Sequence, residues 1–179
     1  MAKIFQRLRV EFPQARLILV PRHFERAAEV RAEVEALGLS VVQRSAVSEA
    51  VSPNDDAVLL VDSTGELRAW YAQADIAVIG KSFLGEGGQN PVEPIMESCP
   101  VVVGPQMQNF EVLVKELVAA GGVVQVADLS ALESQLRAWL TDPEAATMVS
   151  KQGLACLQRH AGATRRTLEK LLEFAVEEA

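Results

Sequence analysis

Six short runs of β-branched and other apolar residues recur along this chain, and longer amphipathic stretches separate them. The runs are RLILVPRH (Arg16–His23, ended by Pro21), LSVVQRS (Leu39–Ser45), AVLLVDS (Ala57–Ser63), DIAVIG (Asp75–Gly80), PVVVGP (Pro100–Pro105) and GVVQVA (Gly122–Ala127). Strands that read as near-continuous apolar runs are buried on both faces, which helical crossovers achieve. The intervening stretches fit that role. His23–Gly38 places Phe24, Ala27, Ala28, Val30, Val34 and Leu37 on one helical stripe and stops at Gly38. GELRAWYAQA, a segment near Pro91–Ser98 and NFEVLVKELVAAG read as further helices, and a polar loop passes through Ser52–Asp55. From Ser130 the chain reads as helix in three pieces, Ser130–Asp142, Pro143 to about His160, and Ala163–Ala179. The expected fold is α/β, a Rossmann-like doubly wound parallel sheet of about six strands with extra C-terminal helices.

Composition narrows the function. A formal net charge of -7 and a pI near 4.9 exclude a nucleic-acid surface, which needs clustered Lys and Arg. An anionic ligand must find local cations, and Arg22, His23, Arg44 and Lys81 are the ones near apolar runs. Cys99 and Cys156 have no metal-ligand spacing and form no disulfide framework, so reduced cytosolic thiols are expected, with Cys99 a small core residue. No window reaches the roughly 18 apolar residues of a membrane span, and the charged, helically spaced opening MAKIFQRLRVEF is not a signal peptide.

In doubly wound sheets ligands bind beyond the carboxyl ends of the strands. The residues to inspect are therefore Pro21–His23, Arg44–Ser45, Asp62–Glu66, Lys81–Gln89 and Gly104–Gln106. Pro21 and Arg22 either end a strand, with His23 capping the next helix, or place a planar five-donor clamp on a phosphate or carboxylate. Ser63 or Thr64 caps a helix with Glu66 in its first turn; alternatively, the Thr64 and Gly65 amides read the edge of a base. The stretch SFLGEGGQNPVEP (Ser82–Pro94) is the densest. One register makes Asn90 the N-cap, Pro91 the first helical residue and Glu93 the third, a capping box; a second puts Glu93 at the cap and Pro94 first. In both, Glu93 stands at a helix start with oxygens able to hold a ribose diol, and Gly85, Gly87 and Gly88 leave space for a phosphate. GEGGQN has neither the G-x-G-x-x-G spacing nor the terminal Gly-Lys-Ser/Thr of a P-loop. No Ser-His-Asp or Cys-His set emerges. His160 reads as a helix-end residue, and Asn54–Asp56 precedes a strand and so forms no metal-binding Asp-x-Asp at a strand end.

LVPRH, VDSTGELRAWYAQADIAVIGKSF, GEGGQNPVEP and PVVVGPQMQNFEVLVKELVAAGG together resemble, in order and spacing, the C-terminal half of the bacterial 3-deoxy-D-manno-octulosonic acid (Kdo) transferases. These are glycosyltransferases of the two-domain GT-B type that act in lipopolysaccharide core synthesis. The resemblance covers nearly the whole chain and implies a donor-binding domain over residues 1–142. Helices over 143–179 would pack on it or toward an N-terminal domain outside this chain. It implies CMP-Kdo as donor substrate, no metal and no other cofactor. The N-terminal domain would hold the lipid A precursor, the membrane anchor and the carboxylate base. The whole protein would then sit at the cytoplasmic face of the inner membrane, with this chain soluble, cytoplasmic and inactive alone.

Carried over by residue, Pro21 and Arg22 would meet the CMP phosphate and pyrimidine side, and Thr64, Gly65 and Glu66 would line the cytosine. Asn90, Pro91, Val92 and Glu93 would hold the ribose and phosphate, supported by His23, Gly87, Gly88 and Gln89. The family usually reads Asp-Thr-Met-Gly-Glu where this chain has Asp62-Ser63-Thr64-Gly65-Glu66, and His where it has Gln89. The second change removes a titratable donor. Two other readings stay open: a GT-B domain taking a UDP-sugar, and a non-catalytic flavodoxin-like module. The latter lacks an acidic cluster after its first strand.

Overall fold

The computed structural model describes residues 1–47 and 57–159. The expected Ser52–Asp55 loop, the Asn54–Asp56 carboxylates, His160 and the last helix lie outside the described residues. In order along the chain come α1 (Ala2–Glu11), β1 (Ile18–Leu19), α2 (Ala27–Glu35), β2 (Val41–Gln43), β3 (Val58–Leu60), α3 (Leu67–Gln73), β4 (Ala77–Ile79) and the single turn α4 (Lys81–Leu84). Then follow α5 (Val92–Met96), β5 (Val101–Val103), α6 (Glu111–Ala119), β6 (Val124–Gln125), α7 (Leu129–Thr141) and α8 (Pro143–Arg159).

All six expected strands form and every pairing is parallel, but they make two three-stranded sheets, β1-β3-β2 and β4-β5-β6, instead of one sheet of six. Strand β1 is only two residues long, and it pairs with β3 through Leu59 N–H to Leu17 O and Val61 N–H to Leu19 O; Pro21, two positions on, brings no N–H with which to extend that ladder.

Period-two alternation decides which side chains go where. In β5, Val101 and Val103 enter one apolar cluster and Val102 the other, and all three are fully buried. One face of this sheet is covered by Ile95 of α5, Val114 and Leu117 of α6 and Cys156 of α8. The opposite face is covered by Leu132, Leu136 and Trp139 of α7, with Ile4 and Leu8 of α1. The other sheet has its own cluster, in which Val58 meets Val34 of α2 and Phe5 of α1.

Helix α1 therefore joins the two halves, since adjacent residues Ile4 and Phe5 serve different clusters. Burying each of Ile4, Phe5 and Leu8 contributes about 1.5–3 kcal/mol, and Gln6 Nε2 reinforces the join by donating to Leu37 O at 2.7 Å. Helix α7 begins at an N-cap, Asp128, whose Oδ1 accepts from the Ala131 amide at 2.8 Å.

Glycine decides one helix crossing. At Gly153 of α8 an added Cβ would lie 2.6 Å from Gly122 O and 3.1 Å from Ile95 Cγ2, so α8 meets the end of α6 backbone to backbone. Both cysteines are buried. Cys99 is the core residue expected of it, and burial, assisted by Asp75, pushes its thiol up to about 12.

Candidate functional site

Because each sheet is parallel, the carboxyl ends of its strands share an edge, and the polar and glycine-rich residues collect there. At the end of β1, Pro21 is half-buried while Arg22 and His23 are exposed. His23 precedes a 3-10 turn, Phe24–Arg26, and its carbonyl accepts from Arg26 N–H at 3.1 Å. The regular helix thus begins later than its apolar stripe indicates, at Ala27.

Beyond β2 and β3 lies a knitted polar cluster. Asp62 accepts from Gln43 Nε2 (3.0 Å), Ser45 N–H (2.9 Å) and Ser45 Oγ (2.5 Å). Burial raises the Asp62 carboxyl, but the Ser45 and Gln43 hydrogen bonds outweigh it and hold the group below its usual value. Glu66 accepts from the Ser63 hydroxyl and pairs with Arg44 Nη2 at 3.0 Å. Its pKa is lowered first by the Ser63 hydrogen bond and then, against some desolvation, by the Arg44 charge.

Neither Ser63 nor Thr64 caps the helix, contrary to one sequence expectation. Helix α3 starts at Leu67 without a side-chain cap, because the Ser63 hydroxyl turns to the Glu66 carboxylate. Thr64 and Gly65 are exposed. Gly65 has φ +84°, and a Cβ there would meet nothing within 4 Å, so the backbone conformation alone calls for glycine.

Beyond β4 the loop is less open than its glycines imply. Gly87 (φ +84°) and Gly88 (φ +66°) are buried. A Cβ on Gly87 would sit 2.6 Å from Asn109 Nδ2, and one on Gly88 2.8 Å from Gln106 O, so both glycines admit the neighbouring strand-end loop. The Gly87 amide donates to Gln108 Oε1 at 2.8 Å.

At the helix start neither register forms as expected, because α5 begins at Val92 with Pro91 in the cap position and no side-chain cap on it. Asn90 Oδ1 accepts from Val92 N–H at 3.0 Å. Its Nδ2 donates to Glu93 Oε1 at 3.2 Å, so the capping pair closes through side chains instead of through the Asn90 amide. Pro91 is fully buried and Glu93 exposed. Since Pro91 and Pro94 bring no N–H and Val92's is capped, this five-residue helix offers an anion few amides. The Tyr71 hydroxyl of α3, desolvated and beside the Glu93 charge, is raised to about 12.

Sequence reasoning singles out Glu66, Asn90 and Glu93, and the structure gives each a defined partner. Among the described residues no hydrogen bond ties Arg22 or His23 to these groups. The Arg44–Glu66 pair and the bonds of the buried Ser82 hydroxyl to Ile79 O and Gly104 N–H are contacts that sequence reasoning does not anticipate. Arg44 lies 22 positions before Glu66, and no local spacing signals that contact. Among the described residues no group of three or more His, Cys, Asp and Glu side chains could hold a metal ion, and no helix is long and apolar enough to cross a membrane.

No family model matches the chain. It is 40% identical over 167 residues to a 3-deoxy-D-manno-octulosonic acid transferase of Bordetella pertussis, covering 93% of this chain and 39% of that protein. A second such transferase, of Haemophilus influenzae, is 34% identical over 173 residues, covering 96% and 40%. The chain thus spans about two fifths of the length of these relatives. The crystal structure of the C-terminal CMP-Kdo binding domain of WaaA from Acinetobacter baumannii superposes with a TM-score of 0.78 at 31% identity, covering 87% of this chain and 80% of that one. The likeness in sequence and in fold extends over most of the chain, and the chain belongs to the 3-deoxy-D-manno-octulosonic acid transferase family, in the region of its C-terminal domain.

Proposed function

We propose that this chain is the donor-nucleotide domain of a GT-B Kdo transferase and binds CMP-Kdo at the carboxyl edge of its sheets. The observation that carries the reading is the 31% identity to a CMP-Kdo binding domain over 80% of its length. Glu93, held at the helix start by Asn90, presents carboxylate oxygens to the ribose hydroxyls, with Pro91 and Val92 forming the turn beneath. Thr64 and Gly65 offer exposed backbone to the cytosine, and Glu66 stands beside them, fixed by Arg44 and Ser63. The capped, proline-rich start of α5 leaves few amides for the phosphate, so its charge falls to Arg22, which is exposed at the end of β1 beside Pro21. His23 stands next to it. Gly87, Gly88 and Gln89 set the loop that carries Asn90.

In the complete protein the reaction transfers Kdo from CMP-Kdo to a lipid A precursor, with CMP as leaving group. The acceptor site, the base and the contact with the inner membrane belong to the part of the protein outside this chain. No metal or further cofactor enters the reading, and this chain alone binds donor without turning it over.

Calorimetric titration with CMP, and with UMP and AMP as controls, tests the proposal. CMP binds in preference to UMP, and Glu93→Gln removes most of that binding while leaving the unfolding temperature unchanged. Equal affinity for CMP and UMP would redirect the reading to a UDP-sugar enzyme of the same architecture. Binding of no nucleotide would overturn it.

A further inference from the structure

We infer that the donor site has a second wall, the strand-end loop from Gly104 to Asn109, and that Ser82 is the positioning residue that sets this loop against the Asn90–Glu93 wall. The inference rests on the donor-binding reading above. Ser82 lies in the single turn after β4 and is fully buried. Its hydroxyl donates to Ile79 O at 2.5 Å and accepts from Gly104 N–H at 2.6 Å. Its own carbonyl accepts from Gln106 N–H at 2.9 Å. One residue thus holds the start of the segment that leaves β5 at two points.

A second set of bonds joins the same two loops at Gly87, just ahead of Asn90. Gly87 N–H donates to Gln108 Oε1 at 2.8 Å, and Gly87 O accepts from Asn109 N–H at 3.2 Å. On the far side Gln125 Nε2 donates to Gly104 O at 3.0 Å. The lack of space for a Cβ at Gly87, Gly88 and Gly104 shows how closely the segments approach. A change in one loop is therefore passed to the other.

The side chains on the second wall fit the hydroxyl-rich sugar of the donor better than its charged phosphate. Gln106 and Asn109 carry carboxamides and Gln89 carries another on the first wall, while Gln108, which accepts from Gly87 N–H and donates to Gln106 Oε1 at 2.5 Å, fixes the shape of the second wall instead of meeting the sugar itself. A neutral carboxamide both donates and accepts, which matches a hydroxyl.

The test compares CMP with CMP-Kdo on the full 179-residue chain and on Ser82→Ala and Gln108→Ala, by calorimetry well below the unfolding temperature. Removing either group leaves a buried or half-buried amide unpaired, so each variant weakens CMP-Kdo about ten-fold. CMP, which lacks the sugar, is weakened less. Gln108 is exposed, so its variant folds even where Ser82→Ala does not. CMP-Kdo binding unchanged in Gln108→Ala overturns the second wall while the donor-binding reading stands. A lower unfolding temperature with unaltered affinities for Ser82→Ala reduces that residue to a structural role and overturns its assignment. Binding of neither ligand by the unaltered chain removes both readings together.

Discussion

Gly153→Ala is the sharpest test of how the helices are assembled. Alanine is a better helix former than glycine by about 1 kcal/mol, so an isolated α8 would gain from the change. In the folded chain the new Cβ lies 2.6 Å from Gly122 O and 3.1 Å from Ile95 Cγ2. Neither neighbour yields easily: the first is backbone, and the second belongs to a side chain buried at 0% exposure in the core. To relieve the overlap α8 must move off the end of α6, loosening Cys156 and Ala146 in their clusters. Overpacking of this kind costs roughly 1–3 kcal/mol, and against a backbone atom the upper part of that range applies. The net expectation is a loss of about 1–2 kcal/mol, or roughly 2–8 °C in unfolding temperature for a domain of this size. Thermal unfolding followed by circular dichroism measures it. A variant as stable as the parent, or more so, would refute the backbone crossing.

Helix α5 ends in a Schellman motif, with Cys99 N–H bonded to Pro94 O and Ser98 N–H to Ile95 O, both at 2.9 Å. Ser98 occupies the left-handed position of that motif at φ 60° and is exposed. Ser98→Gly therefore stabilises the chain by about 0.5–1 kcal/mol, read as a rise in the midpoint of urea unfolding. Asp62 is held below its usual value. Its contribution to stability is full above the ordinary carboxylate range and is lost as the pH falls through its lowered folded value. Asp62→Asn accordingly flattens the acid limb of the stability profile below about pH 4 and leaves the neutral-to-alkaline limb unchanged in shape; an unaltered acid limb counts against the Ser45–Asp62–Gln43 cluster.

The strands and most helices were legible because they rest on local periodicity. Val101–Val103 reads as a doubly buried strand in any parallel context, and Leu132, Leu136 and Trp139 share a helical face by spacing alone. The start of α5 was legible to within a residue or two for the same reason: Asn90, Pro91 and Glu93 are close neighbours along the chain, although the cap falls on Pro91 and not on Asn90 or Glu93. The single turn Lys81–Leu84 was missed within the glycine-rich loop. It is one turn long and ends at Gly85, and four residues carry too little pattern to declare a helix.

Two further points depended on tertiary contact. The glycines of Gly85–Gly88 read as room for a ligand, whereas Gly87 and Gly88 admit another loop, Gln106–Asn109. A missing Cβ reports only that something comes close, and sequence does not say what. Likewise Glu66 reads as a helix-start carboxylate until Arg44 arrives from a neighbouring strand end.

By itself the sequence determined the α/β alternation, the parallel pairing, the burial of β5 and the helix start that displays Glu93. All of these follow from side-chain period and backbone propensity over short stretches of chain. Only the tertiary structure decided that the six strands divide three and three, that α1 joins the halves, and that Ser82 ties two strand-end loops together. Those outcomes turn on which strands pair and on which backbones approach within van der Waals distance, and neither is encoded in local spacing.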